Sequence, residues 1–186
     1  MTNAVQHGTG HATSTEAGHD PLVWAAGLFT VAVLIHGADH VRRGFSATGA
    51  DVFWLGTAAI TVEVAIVLLA CQRHRLAPLV ATGSGLTLAL GYLFVHLLPK
   101  RSWLSDSFTS ATGVSPLSWF AASLEIVAAL TVGVVGLVEL RRRGGLASAY
   151  QPWPPQRPLG QALRHPLVVL MIAGNATILA ISFSQL

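Results

Sequence analysis

Five predominantly apolar runs, each close to twenty residues long, leave this chain few ways to fold: Pro21–His40, Asp51–Ala70, Leu76–Leu98, Leu117–Val138 and Pro166–Phe183. A helix needs about 20 apolar residues to cross the hydrocarbon of a bilayer, and runs of 18 or more read as spanning candidates. Of 186 residues 52% are hydrophobic and only 10% are charged. Soluble domains average roughly 25% charged residues, so this chain cannot build a polar shell. The short alternating segments of a membrane β-barrel are missing. The expected fold is an all-α integral membrane protein, with one domain of five transmembrane helices over residues 21–186. Residues 1–20 form a polar, His-containing tail expected to be disordered, and a Pro-rich loop falls at about 144–165.

The tail has no Lys or Arg, unlike the basic leading region of a secretory signal, so the first helix is expected to be retained. Basic residues then orient the bundle. Arg73, Arg75, Arg141, Arg142, Arg143, Arg157 and Arg164 fall on one side, and Arg42, Arg43, Lys100 and Arg101 on the other. Seven against four predicts a plasma-membrane protein with a cytoplasmic N-terminus and an external C-terminus. Arginines flanking spans also explain the formal net charge of +3 through anionic headgroups. No basic surface is interleaved with aromatics, so nucleic acid is excluded as a partner. Tyr150 and Trp153 read as interfacial anchors. The single Cys71 excludes an internal disulfide or a thiolate cluster.

The polar residues inside the spans are the unusual feature. The first run ends in "LIHGADHVRRG", where His36, Asp39 and His40 are spaced three and four residues apart and share one helix face. Helices one and three run toward the same membrane face, and helices two and four leave from it. His36 and His96 therefore lie about one turn inside that face, with Asp39, His40 and Asp51 at its rim. Glu125 and then Glu63 lie deeper. An ionisable residue at a helix centre costs about 2.5–3.5 kcal/mol on insertion scales, and such residues normally face a cavity or a partner. One shared site in one half of the bilayer accounts for all of them. Two similar units, "LIHGADHVRRG…WLGTAAITVEV" and "FVHLLPKRSW…WFAASLEIV", further suggest a repeat of two two-helix units followed by a fifth helix.

Imidazoles with carboxylates suit a transition-metal ion such as Ni, Co, Cu, Zn or Fe. Metal candidates are His36, Asp39, His40, His96, Glu125 and Glu63. Residues 37–40, "GADH", resemble the Gly-x-Asp-His core of nickel/cobalt permeases of the hydrogenase and urease accessory type. That resemblance implies a metal-handling role for His36, Asp39 and His40. His7, His11 and His19 in the tail are of the kind that sometimes collects metal. His36 and His96 are also candidate axial ligands of a b-type haem, and Glu63 and Glu125 leave a quinone or proton-relay role open. A structural or accessory subunit of a membrane complex, or a homo-oligomer, would use the same residues only to fix helix register. No nucleophile triad, phosphate-cradling loop or zincin motif is present, so hydrolase and kinase chemistry are excluded and no catalytic residue is assigned.

Overall fold

Proline occupies the first turn of four of the five long helices, at Pro21, Pro78, Pro116 and Pro166. Its missing N–H costs nothing there, because first-turn donors have no intrahelical acceptor. Side chains satisfy the neighbouring donors. Asp20 Oδ1 accepts from the Leu22 amide at 3.1 Å, Ser115 and Ser118 close a reciprocal capping box, and His165 Nδ1 accepts from the Leu167 amide at 3.3 Å.

A computed structural model describes residues 20–100, 102–150 and 156–185. The tail with His7, His11 and His19, and also Arg101 and Trp153, lies outside the described residues. The helices are α1 (Pro21–Arg43), α2 (Phe45–Thr48), α3 (Ala50–Gln72), α4 (Ala77–Tyr92), α5 (Pro116–Arg142), α6 (Leu159–Leu163) and α7 (Pro166–Phe183). A π-helical turn, Leu93–Leu97, extends α4 without a break. Five helices are long and apolar enough to cross a membrane, and α4 with its π turn is one of them. The described residues form an all-α bundle without strands.

Several boundaries move outward from the apolar runs, furthest at the C-terminal ends of α1 and α5. α1 continues past His40 to Arg43, and α5 continues past Val138 to Arg142. Hydrophobicity marks where hydrocarbon ends rather than where a helix ends, and arginine is both a good helix former and favourable near a helix C-terminus. The Pro-rich segment is also less irregular than its composition suggests, since it contains the 3₁₀ turn Gly145–Tyr150 and α6. Glycine is required on either side of α2, where Gly44 and Gly49 have φ of 85° and 81° and turn the chain from α1 into α3.

Packing centres on α5. α4 lies closely along it, and α1 packs on α5 and then on α7, while α3 closes the bundle against α7, α1 and α4. The two proposed repeat units are thus packed differently, because α1 has α5 rather than α3 as its broadest neighbour. Lipid tails are as apolar as leucine, so helices associate here through close van der Waals contact, which small residues allow. A Cβ on Gly85 would lie 2.7 Å from Gly133 N, and one on Gly136 would lie 2.8 Å from the Pro78 carbonyl. Ala26, Ala32, Ala128 and Ala129 are fully buried, with Phe29, Val67, Val132 and Met171 filling the remaining space. Leu90 (67% exposed), Phe120 (57%) and Val127 (56%) project outward, as a lipid-facing surface requires.

Gly85→Ala and Gly136→Ala should each destabilise the bundle by about 1–3 kcal/mol through overpacking. Gly83→Ala should be neutral, since a Cβ there meets nothing within 4 Å. Denaturant unfolding in detergent, followed by helical circular dichroism, checks this contrast.

Candidate functional site

The last two turns of α1 turn His36, Asp39 and Arg43 inward and bury them, while His40 is half-buried. Their three- and four-residue spacing makes one stripe along the helix. His96 approaches from the π turn. A π turn inserts an extra residue into the helical ladder and re-aims the side chains that follow, and His96 there is only 3% exposed. Its carbonyl accepts from the Phe108 amide at 2.9 Å, which draws the following loop back over the site.

Three imidazoles therefore meet. The His36 and His40 rings stack with centroids 4.6 Å apart, His36 and His96 stand edge to face at 4.7 Å, and His40 and His96 are 5.5 Å apart. One nitrogen from each ring lies within 4.8 Å of the other two. An ion bound at about 2.0–2.1 Å holds its nitrogens roughly 3.3 Å apart, so small rotamer movements would bring the three together.

Each ring has a neighbour on its Nδ1 side. His36 Nδ1 is hydrogen-bonded to Glu125 Oε2 on α5, and His40 Nδ1 to Thr48 Oγ1 on α2 at 3.1 Å. His96 Nδ1 lies 3.6 Å from Asp106 Oδ2 in the loop. Among the described residues, His36 Nε2 and His96 Nδ1 are buried without a hydrogen-bond partner.

Asp106 is itself held by Arg43. The guanidinium donates to both carboxylate oxygens, at 2.6 and 2.8 Å, and both side chains are almost completely buried. Burial pushes the Asp106 carboxyl up, but the hydrogen-bonded Arg43 guanidinium, with the His96 imidazole nearby, holds it below the ordinary carboxylate range. Arg43 Nε also donates to the Thr112 carbonyl at 3.3 Å, and the guanidinium lies over the Phe108 ring, 5.3 Å from its centroid. Arg42 donates to Asp39 at 2.9 Å and to the Gly113 carbonyl and Ser118 Oγ at 3.0 Å each. Two consecutive arginines thus clamp the loop to the end of α1.

The six residues read as metal candidates do not all gather in one place. His36, His40 and His96 form the cluster, and Glu125 adjoins it through His36. Asp39 is instead engaged by Arg42, with its Oδ2 buried and unpartnered. Glu63 sits apart, where its Oε1 accepts from the Tyr92 hydroxyl and its Oε2 is buried without a partner. Asp51 is exposed in the first turn of α3. Glu63, Tyr92, Glu125 and the three imidazoles border a mostly apolar cavity of about 280 Å³.

Asp106, Tyr92 and Thr48 were not legible as site residues. Asp106 is the one acid in the stretch 98–115, and Tyr92 lies four residues before His96, so each left a faint signal. Thr48 left none. On the opposite face, His74 and His165 accept backbone hydrogen bonds from Leu76 and Leu167 and act as local caps. Burial, and then the Arg157 charge, hold the His165 imidazole below its ordinary value, in keeping with an uncharged acceptor. Protein-family models, curated proteins and solved structures contain no match to the chain.

Removing one partner of a buried ion pair leaves the other charge uncompensated, at about 3–5 kcal/mol. Asp106→Asn should lose stability on that scale, and limited proteolysis should then cut the loop between His96 and Pro116 while the helices stay protected.

Proposed function

We propose that His36, His40 and His96 form a transition-metal site within the membrane, at the end of the bundle where α1 finishes. The observation that carries this reading is the arrangement of the ring nitrogens. Glu125, Thr48 and Asp106 stand on the Nδ1 side of the three rings, and His36 Nε2 is buried with no hydrogen-bond partner among the described residues. A metal-bound histidine normally gives its second nitrogen to a carboxylate or other acceptor, which fixes its tautomer and orientation. Glu125 supplies that arrangement at His36, and Asp106 stands 3.6 Å from the Nδ1 of His96.

Three neutral imidazoles without thiolate favour Zn, Cu, Ni, Co or Fe over Mg or Ca. Three protein ligands also leave a fourth position open, which distinguishes an exchangeable or reactive site from a closed structural one. The resemblance of residues 37–40 to nickel/cobalt permeases points to the same end of α1, with His40 as ligand and Asp39 holding Arg42.

Binding is favoured over passage. Beyond Glu63 the described core of the other half is filled mainly by Phe29, Ile66, Val67, Val132 and Met171, each at most 2% exposed, and ionisable groups of the site do not continue into it. A haem spanning His36 and His96 is disfavoured, because the rings stand 4.7 Å apart with His40 stacked on one of them. Oriented by its basic loops, the protein lies in the plasma membrane with the N-terminus cytoplasmic and the imidazoles in the outer half.

Purified protein equilibrated with Zn²⁺, Ni²⁺, Co²⁺ or Cu²⁺ should retain close to one equivalent of a preferred ion by elemental analysis. His36→Ala and His96→Ala should each abolish retention, and Glu125→Gln should weaken it by about 10–100-fold, the usual effect of losing an outer-shell partner. His74→Ala, at the opposite face, should leave it intact. Retention should fall on acidification, because imidazole must be deprotonated to bind. Retention that survives His36→Ala and His96→Ala overturns the assignment.

A further inference from the structure

The cavity beside the imidazoles extends well beyond what an ion needs. Its volume is about 280 Å³ and most of its wall is apolar. Its polar groups include Glu63 and Tyr92 together with His36, His40 and Glu125. Glu63 is 3% exposed, and its Oε2 has no hydrogen-bond partner among the described residues. An unsatisfied carboxyl oxygen this deep calls for a ligand.

The cavity also has a mouth. Leu55 and Gly56 on α3, and Thr87 and Gly91 on α4, line it and are at the same time exposed on the outside of the bundle. α3 and α4 therefore part at this level, and the opening faces lipid rather than an aqueous surface. Gly56 and Gly91 keep it wide, since a Cβ at either would meet nothing within 4 Å.

We infer that this cavity takes the head of a membrane-dissolved quinone or quinol, which enters sideways from the bilayer between α3 and α4 and is met by Glu63 and Tyr92. Drug-sized ligands occupy pockets of roughly 300–1,000 Å³, so this one holds a single ring while an isoprenoid tail stays in the mouth and the lipid. Two carboxyls and no Lys or Arg line the wall, which turns away fatty acids and phospholipid headgroups. A sterol hydroxyl needs one hydrogen-bond partner, whereas Glu63, Tyr92, Glu125 and His36 suit a head whose oxygens gain and lose protons. Glu63, Tyr92 and the mouth lie off the three-imidazole cluster, so the inference does not require the proposed ion.

The test is titration of decylubiquinone into the protein in nanodiscs, followed by tryptophan fluorescence quenching. Saturable binding is expected, weakened at least fivefold by Glu63→Gln and by Tyr92→Phe. Gly91→Leu or Gly56→Leu should close the mouth and reduce binding at least twentyfold. Gly83→Leu, equally free of close neighbours but outside the cavity wall, should bind as the parent does. Chelator-stripped protein and His40→Ala should also still bind, whether or not the metal assignment holds. Non-saturable quenching, equal effects of Gly83→Leu and Gly91→Leu, or equal displacement by cholesterol or oleate overturns the inference. Loss on metal stripping alone would place the quinone on the ion and overturn it as well.

Discussion

In hydrocarbon, a polar side chain that finds no partner within the protein finds none at all, and one end of this bundle is organised around that condition. Arg43 reaches the last turn of α1 on the buried face, where its guanidinium requires an anion. Asp106 supplies it from a loop ten residues beyond His96, with both carboxylate oxygens engaged. That pair draws the loop inward and places Phe108 against the His96 ring, 4.9 Å between centroids. It also brings a carboxylate up to the imidazole. Position and electrostatics of the cluster both depend on this one buried ion pair.

The opposite half of the bundle follows a different rule. The core there is mostly apolar, and a buried hydroxyl such as that of Thr30 is satisfied within its own helix by the Ala26 carbonyl, so close approach of backbones decides the packing. Gly85, Gly133 and Gly136 let α4 lie against α5, and the alanines of α1 and α5 extend that contact. The result is a tight apolar plug beneath a polar chamber. This division gives the chamber rigid walls, which is what a site with pre-positioned ligands needs.

Within the chamber, two groups of residues meet at the His36–Glu125 hydrogen bond. On one side are three imidazoles suited to an ion. On the other, Glu63 and Tyr92 face an apolar cavity that opens to lipid. An ion held at the first and a quinone held at the second would share Glu125 as a common neighbour, and a change of charge at either would be felt by the other through it.

Much of this was legible in the chain. Five apolar runs determined the number of spans, because span length is set by bilayer thickness rather than by tertiary contacts. Spacing along α1 put His36, Asp39 and His40 on one face, and helix direction put His36 and His96 at matching depth with Glu125 and Glu63 below them, because both follow from helical geometry alone. What the sequence could not decide was azimuth. Which face of α4 turns inward depends on the π turn at Leu93–Leu97, and which loop residue reaches His96 depends on Arg43 needing an anion. Only packing could therefore show Glu63 with Tyr92 and Asp106 beside His96. Depth in a membrane is a property of one helix and can be counted along the chain, whereas a side chain's partner is a property of two helices and exists only once they have packed.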